Sequence, residues 1–122
     1  MIKVCKHALI DGDAKIVTRV LSNLLDNANK YAPRGSSIRL ELSEEGGFVI
    51  VRVVDEGTGI PPDQRESVFD KYFQIETGAH ARPSDGLAFC RIAVEAHGGT
   101  IKVEDTTTGC VFRVTLPASP HV

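Results

Sequence analysis

From Asp13 to Ala32 the apolar residues Ile16, Val17, Val20, Leu21, Leu24, Leu25 and Ala28 recur at helical spacing, and directly afterwards the period becomes that of strands. Asp13 is placed to cap the helix. Ala32-Pro33-Arg34-Gly35 ends it, because proline disfavours helix in its predecessor and glycine accepts a positive φ. Ser37–Leu42 alternates apolar and polar residues, Glu44-Glu45-Gly46-Gly47 reads as a hairpin turn, and Phe48–Val54 is β-branched and almost continuous. One long amphipathic helix followed by two adjacent strands, the second better buried, requires a sheet that packs helices on a face.

The rest of the chain extends that plan. Ile2–Cys5 is a short alternating strand signal. Residues 56–85 are irregular and rich in glycine and proline, interrupted by one aromatic helical turn at Val68-Phe69-Asp70-Lys71-Tyr72-Phe73, and so long an insertion reads as a lid or binding loop. Gly86–His97 predicts a second helix, closed by Gly98-Gly99 as a left-handed cap. Thr100–Val103 and Cys110–Leu116 predict two more strands around the turn Thr108-Gly109, with a polar tail from Pro117. The order β-α-β-β-lid-α-β-β predicts an α/β fold, a two-layer sandwich with a mixed, mostly antiparallel sheet and helices on one face.

Composition narrows the function. The 122 residues, 42% hydrophobic and 25% charged, fit one domain with one core. Cys5, Cys90 and Cys110 are odd in number and far apart, which argues for reduced thiols in a cytoplasmic setting and against zinc. Fourteen basic and sixteen acidic residues are interspersed, leaving a formal charge of −2 and no basic surface run for nucleic acid or an anionic membrane. The apolar runs are too short for a transmembrane span or a secretory signal.

Three constellations carry the chemistry. On a wheel of about 100° per residue, Asn27 lies about 40° and Lys30 about 20° from Asn23, with Tyr31 about 80° away, so a polar stripe borders the apolar face. Amide oxygens beside a lysine suit Mg²⁺ carrying phosphates, although asparagines on a solvated helix flank would look the same. Asp55-Glu56-Gly57-Thr58-Gly59-Ile60 stands where a buried strand runs out. There a carboxylate can accept from an exocyclic amino group while two glycines let a flat ring or a phosphate approach, and a capped glycine turn is the alternative. Pro83-Ser84-Asp85-Gly86-Leu87 opens the second helix, where free N–H groups favour an anion, yet Asp85 fits a plain N-cap. No P-loop or dinucleotide fingerprint is present.

In order and spacing these segments resemble the catalytic ATP-binding domain of sensor histidine kinases, from about Asp11 to Pro117. Asn23-Leu24-Leu25-Asp26-Asn27-Ala28-Asn29-Lys30-Tyr31 resembles the N-box, Asp55–Ile60 the first glycine box and Val68–Phe73 the F-box. Val94-Glu95-Ala96-His97-Gly98-Gly99 and Phe112–Pro117 are similar too. The resemblance implies a Bergerat-like fold over residues 1–122, the C-terminal part of a longer kinase, with ATP between the helix layer and the lid. It implies that Asn27 holds Mg²⁺, that Asn23 and Lys30 approach the phosphates, that Tyr31 packs near the base and that Asp55 binds the adenine amino group. Gly57, Gly59, Ile60, Phe73, Gly86 and Leu87 would complete the nucleotide site.

The sequence departs from the pattern twice. Of the glycine-rich second box only Gly86 remains in Arg82-Pro83-Ser84-Asp85-Gly86-Leu87, and Gln74 stands where a basic residue is common. Superfamily members that hydrolyse ATP carry a glutamate four residues before the metal-binding asparagine; here Asn23 stands there, and an amide cannot act as general base. The resemblance therefore implies phosphoryl transfer to a histidine on the dimerisation domain of the same kinase, with Mg²⁺ and Lys30 stabilising the transferred group, and a response regulator downstream. No nucleic acid and no direct membrane contact are expected. His7, His80, His97 and His121 lie on no dimerisation helix, and His97 reads as a helix C-terminal residue favoured by the dipole. A degenerate nucleotide-binding or interaction module and an anti-sigma-type serine kinase are the alternatives.

Overall fold

Asp13 caps the first helix as its position predicts: its carboxylate accepts the Lys15 and Ile16 amides at 2.9 and 3.3 Å. The computed structural model describes residues 2–3, 12–57, 59–70, 85–104 and 109–118, and for residues 2, 3, 31 and 85 the backbone alone. Helix α1 (Ala14–Tyr31) ends at Ala32, which is already extended before Pro33, and Gly35 takes φ +80°. Strand β2 (Arg39–Glu45) turns through Gly46 and Gly47, at φ +57° and +84°, into β3 (Phe48–Asp55). Glu44 and Glu45, expected in the turn, belong to the strand. Two consecutive left-handed glycines make a two-residue hairpin loop, and Glu45 therefore pairs with Phe48.

Beyond β3, the backbone forms two short 3-10 turns, Pro62–Gln64 and Ser67–Phe69. The helical turn expected to reach Phe73 stops at Phe69, since Asp70 is extended; positions 71–73, Phe73 included, lie outside the described residues. Helix α2 (Asp85–Ala96) places Asp85 inside its first turn rather than at the cap. It closes on Gly98 at φ +78°, with the Gly99 amide on the Val94 carbonyl at 2.9 Å and the Gly98 amide on Glu95 at 3.0 Å, a Schellman ending. Strands β4 (Thr100–Val103) and β5 (Cys110–Pro117) follow.

The sheet order is β1-β2-β3-β5-β4, where β1 (Ile2–Lys3) pairs parallel to β2 and the other pairs are antiparallel. Register fixes the faces. Val49, Val51 and Val53 stand beside Leu116, Val114 and Phe112, and this inner face meets Val20, Leu24 and Ala28 of α1 and Leu87, Cys90 and Val94 of α2 in one core cluster. Phe112 is fully buried, and truncation to alanine would cost about 3–5 kcal/mol. On the outer face Arg52 is held between Glu41 and Glu104, each at 2.5 Å. The sandwich with helices on one face is thus the fold that the order of elements predicts. No described helix is long and apolar enough to cross a membrane.

Candidate functional site

Strand β3 ends at Asp55, which is 3% exposed and is the one buried charged side chain among the described residues. Its place follows from register: Asp55 is the next inward position after Val49, Val51 and Val53, opposite Cys110. Burial pushes the carboxyl up from its ordinary range, and the Gly57 amide, 2.7 Å from Oδ1, partly opposes the shift. The Cys110 thiol beside it is pushed up to about 12, first by burial and then by the Asp55 charge.

The glycines around Asp55 have separate reasons. Gly59 sits at φ +79°, and a Cβ there would lie 2.8 Å from the Gly109 carbonyl oxygen. Gly109, at φ +74°, passes so close to Asp55 that a Cβ would strike the Asp55 carbonyl oxygen. The sequence marks Gly109 only as a turn residue; the structure makes it a wall of the Asp55 corner, a contact 54 positions along the chain that no local pattern announces. Ile60 packs into the core, and its carbonyl accepts Arg65 Nε at 3.1 Å. The Glu56 carboxylate accepts the Ser37 amide at 2.6 Å and ties the strand end to the entry of β2. Thr58 lies outside the described residues.

Helix α1 carries a polar flank beside its buried stripe, and its first turns lie over Val49 and Val51 of β3. Leu24 and Ala28 are buried, Asn23 and Asn27 half-buried and Lys30 exposed, which is the border position that the wheel predicts. The side chain of Tyr31 lies outside what is described. Asn27 has no hydrogen-bond partner among the described residues. Asn23 is committed: Nδ2 donates to the Gly86 carbonyl at 3.4 Å, and a Cβ on Gly86 would touch the Asn23 side chain at 3.5–3.6 Å. Cys90 adds to this seam, its thiol 3.6 Å from the Val20 carbonyl and pushed up to about 11 by burial. Leu87 is a core residue at 3% exposure.

The start of the F-box segment is anchored. Phe69 meets the Phe112 ring edge-on, with centroids 6.0 Å apart, and the Arg91 guanidinium lies over Phe69 at 5.6 Å while pairing with Glu66 at 3.3 Å. The buried carboxylate of Asp55 with Gly57, Gly59 and Gly109 around it makes a corner whose oxygens can accept from an amino-bearing ring, while Asn23, Asn27 and Lys30 share one flank of α1.

Residues 12–120 match the family of histidine kinase-, DNA gyrase B- and HSP90-like ATPases. The chain belongs to that family. It is 41% identical over 111 residues to the sensor protein KdpD of Escherichia coli, covering 89% of this chain and 12% of that protein. It is 36% identical over 115 residues to the KdpD of Clostridium acetobutylicum, covering 89% of this chain and 13% of that one. Among solved structures it superposes on the mycobacterial sensor histidine kinase MprB with a TM-score of 0.80 at 31% identity, over 92% of this chain and 76% of the other. The nucleotide-free catalytic domain of the histidine kinase ThkA gives 0.78 at 27% identity, over 92% and 73%. The chain thus spans about an eighth of the KdpD proteins and corresponds to the ATP-binding catalytic domain of sensor histidine kinases.

Proposed function

We propose that this domain binds Mg-ATP at the Asp55 corner and donates the γ-phosphoryl group to a histidine on a partner dimerisation domain, in two-component signalling through a response regulator. The observation that carries this reading is Asp55, a carboxylate buried at the end of β3 among Gly57, Gly59 and Gly109. Desolvation is costly for a charge, and an exocyclic amino group of adenine donating to the free oxygen would offset part of it. Gly57, Gly59 and Ile60 would flank the ring, and the backbone amides at Gly86 and Leu87 would face the phosphates.

The donor set suits magnesium. The half-buried Asn27 amide oxygen, without a partner among the described residues, would be a single hard ligand, and Mg²⁺ keeps several waters and shares phosphate oxygens. When bound, the metal would supply charge neutralisation across the phosphates. Lys30, on the same flank, adds a mobile positive charge to the transferred group. Asn23 offers no base for water, which leaves an incoming imidazole nitrogen as the nucleophile: its lone pair forms the P–N bond as the bond from the γ-phosphorus to the bridging oxygen breaks and ADP leaves. Dependence on ATP places the domain on the cytoplasmic side of any parent protein.

The test supplies γ-labelled ATP, Mg²⁺ and the histidine-containing domain of a related kinase. Acid-labile, base-stable label on that domain is expected. Acid-stable label on a serine-bearing acceptor would indicate a serine kinase, and an ATP analogue that fails to bind with or without Mg²⁺ would indicate an interaction module.

A further inference from the structure

Helices α1 and α2 run antiparallel, held by Asn23 and Gly86 at one end and by Asp13 and His97 at the other. The second tie is specific about protons. His97 Nδ1 lies 2.7 Å from the Ala93 carbonyl oxygen, and Nε2 lies 3.1 Å from the Asp13 amide nitrogen. A carbonyl only accepts and an amide N–H only donates, so Nδ1 carries the hydrogen and Nε2 the lone pair. Both bonds exist together only on a neutral imidazole in that tautomer. His97 stands at the C-terminal end of α2, as its place in the sequence suggests, and a protonated Nε2 in this arrangement would point a hydrogen at the Asp13 N–H. Gly12 is shaped to the ring: a Cβ there would lie 2.5 Å from Cδ2 and 2.8 Å from Nε2.

What makes the tie matter is the packing beside it. Under the first turns of α1 lies an apolar gap of about 120 Å³, between Ile16, Val17 and Val20 and the sheet residues Val49 and Leu116. Atoms that border a void lose contacts on that side, so this half of the helix is held less by packing than the half around Leu24 and Ala28. Among the described residues His97 is the one titratable side chain lining the gap. Among the described residues, the Asp13 carboxylate at the N-cap of α1 is turned to the Lys15 and Ile16 amides, Lys15 itself and Glu95 of α2 are exposed, and the sheet side chains that line the gap are apolar.

We propose that neutral His97 is a positioning residue for the nucleotide site: by clasping the N-cap of α1 to the last turn of α2 it keeps the under-packed half of α1 from settling into the gap. A helix moves as a rod, and Asn27 lies about 21 Å along it from Asp13, so a tilt at one end displaces the other. The inference rests on the nucleotide-binding reading of the Asn27 flank, and its test separates the two.

The test compares the parent with His97→Gln, which retains a donor and an acceptor, and His97→Leu, which retains bulk alone. Affinity for a Mg-bound ATP analogue is measured from about pH 8 to about pH 5, across the range where imidazoles gain a proton. His97→Leu is expected to weaken binding about fivefold at pH 8 while His97→Gln stays within about twofold of the parent. On acidification the parent is expected to lose about threefold more affinity than His97→Gln. Equal affinities at pH 8 with only a lower melting temperature for His97→Leu, or superposable pH profiles of parent and His97→Gln, would overturn the proposal. If His97→Leu does not fold, the pH comparison decides. If the parent binds no nucleotide, the site assignment fails instead, and the clasp is read from amide exchange of the first half of α1, expected to quicken in the parent but not in His97→Gln as the pH falls, after correction for intrinsic exchange; no such difference overturns it.

Discussion

Gly109 lies against the carbonyl oxygen of Asp55, closer than any β-carbon could approach, and this one contact sets how β5 begins beside the end of β3. It joins two strands at the point where the candidate nucleotide site opens, and it explains why a residue remote from the N-box and the first glycine box belongs to the same corner.

Gly109→Ala is accordingly expected to destabilise the domain by roughly 2 kcal/mol or more, from the positive φ and the displaced Asp55 backbone, and to weaken ATP binding beyond the stability loss. Thermal melting with and without nucleotide measures both; an unchanged nucleotide-induced rise in melting temperature would remove Gly109 from the site.

Asp55→Asn separates stability from function. Burial raises the Asp55 pKa, so the folded chain holds that proton more tightly than the unfolded chain. As pH climbs from the ordinary carboxylate range through the raised folded value, the folded state loses stability, and at neutral pH it bears the full cost. Removing the charge should leave the apo domain at least as stable as the parent at pH 7, while ATP affinity falls by about 1–3 kcal/mol as a donor replaces an acceptor facing the adenine amino group. Melting curves over a pH series and calorimetric titration check the two halves independently.

Asn27→Ala should remove the metal-dependent part of nucleotide binding and stop phosphotransfer, with little change in affinity measured in EDTA. Retention of the parent transfer rate to a supplied histidine domain would show that Asn27 is no magnesium ligand.

The thiols make a quieter prediction. With values near 11 and 12, Cys90 and Cys110 are almost wholly protonated at neutral pH and shielded from reagent. Alkylation mapped by mass spectrometry on the native domain is expected to spare both, and labelling of Cys110 at the rate of a free thiol would mean that the β5 start opens readily.

Much of the frame is legible in the sequence because it rests on local rules. The period of α1, the Asp13 cap, Pro33 and the β-branched run of β3 each carry their own signal, and together they place Asn23, Asn27 and Asp55 correctly on a helix flank and at a strand end. Glu44 and Glu45 mislead because exposed glutamates carry no strand signal, whereas the glycine pair after them fixes the register. The hidden part lies in contacts between distant residues. Gly109 against Asp55, Asn23 against Gly86, and His97 against Asp13, 84 positions apart, have no local signature, since each depends on how finished elements pack.

Asn23 offers the sharpest discrimination between two roles. Placed by resemblance at the phosphates, it nevertheless spends its Nδ2 on the Gly86 carbonyl at the start of α2. If it serves the α1–α2 seam, removing the donor should be felt without nucleotide. Asn23→Ala would then cost the apo domain about 0.5 kcal/mol, the lower end for a hydrogen bond, because this one is long and exposed. Asn23→Asp should cost more than Asn23→Ala, since it sets a carboxylate against a carbonyl oxygen with no donor between them. The order disappears if Asn23 acts only on the phosphates: both apo proteins would melt with the parent, and Asn23→Asp would differ only in ATP affinity, through repulsion that eases as salt is raised. Melting temperatures of the three apo proteins, followed by ATP titrations at low and high ionic strength, decide between the two roles; a melting temperature of Asn23→Asp equal to the parent's would take Asn23 out of the seam.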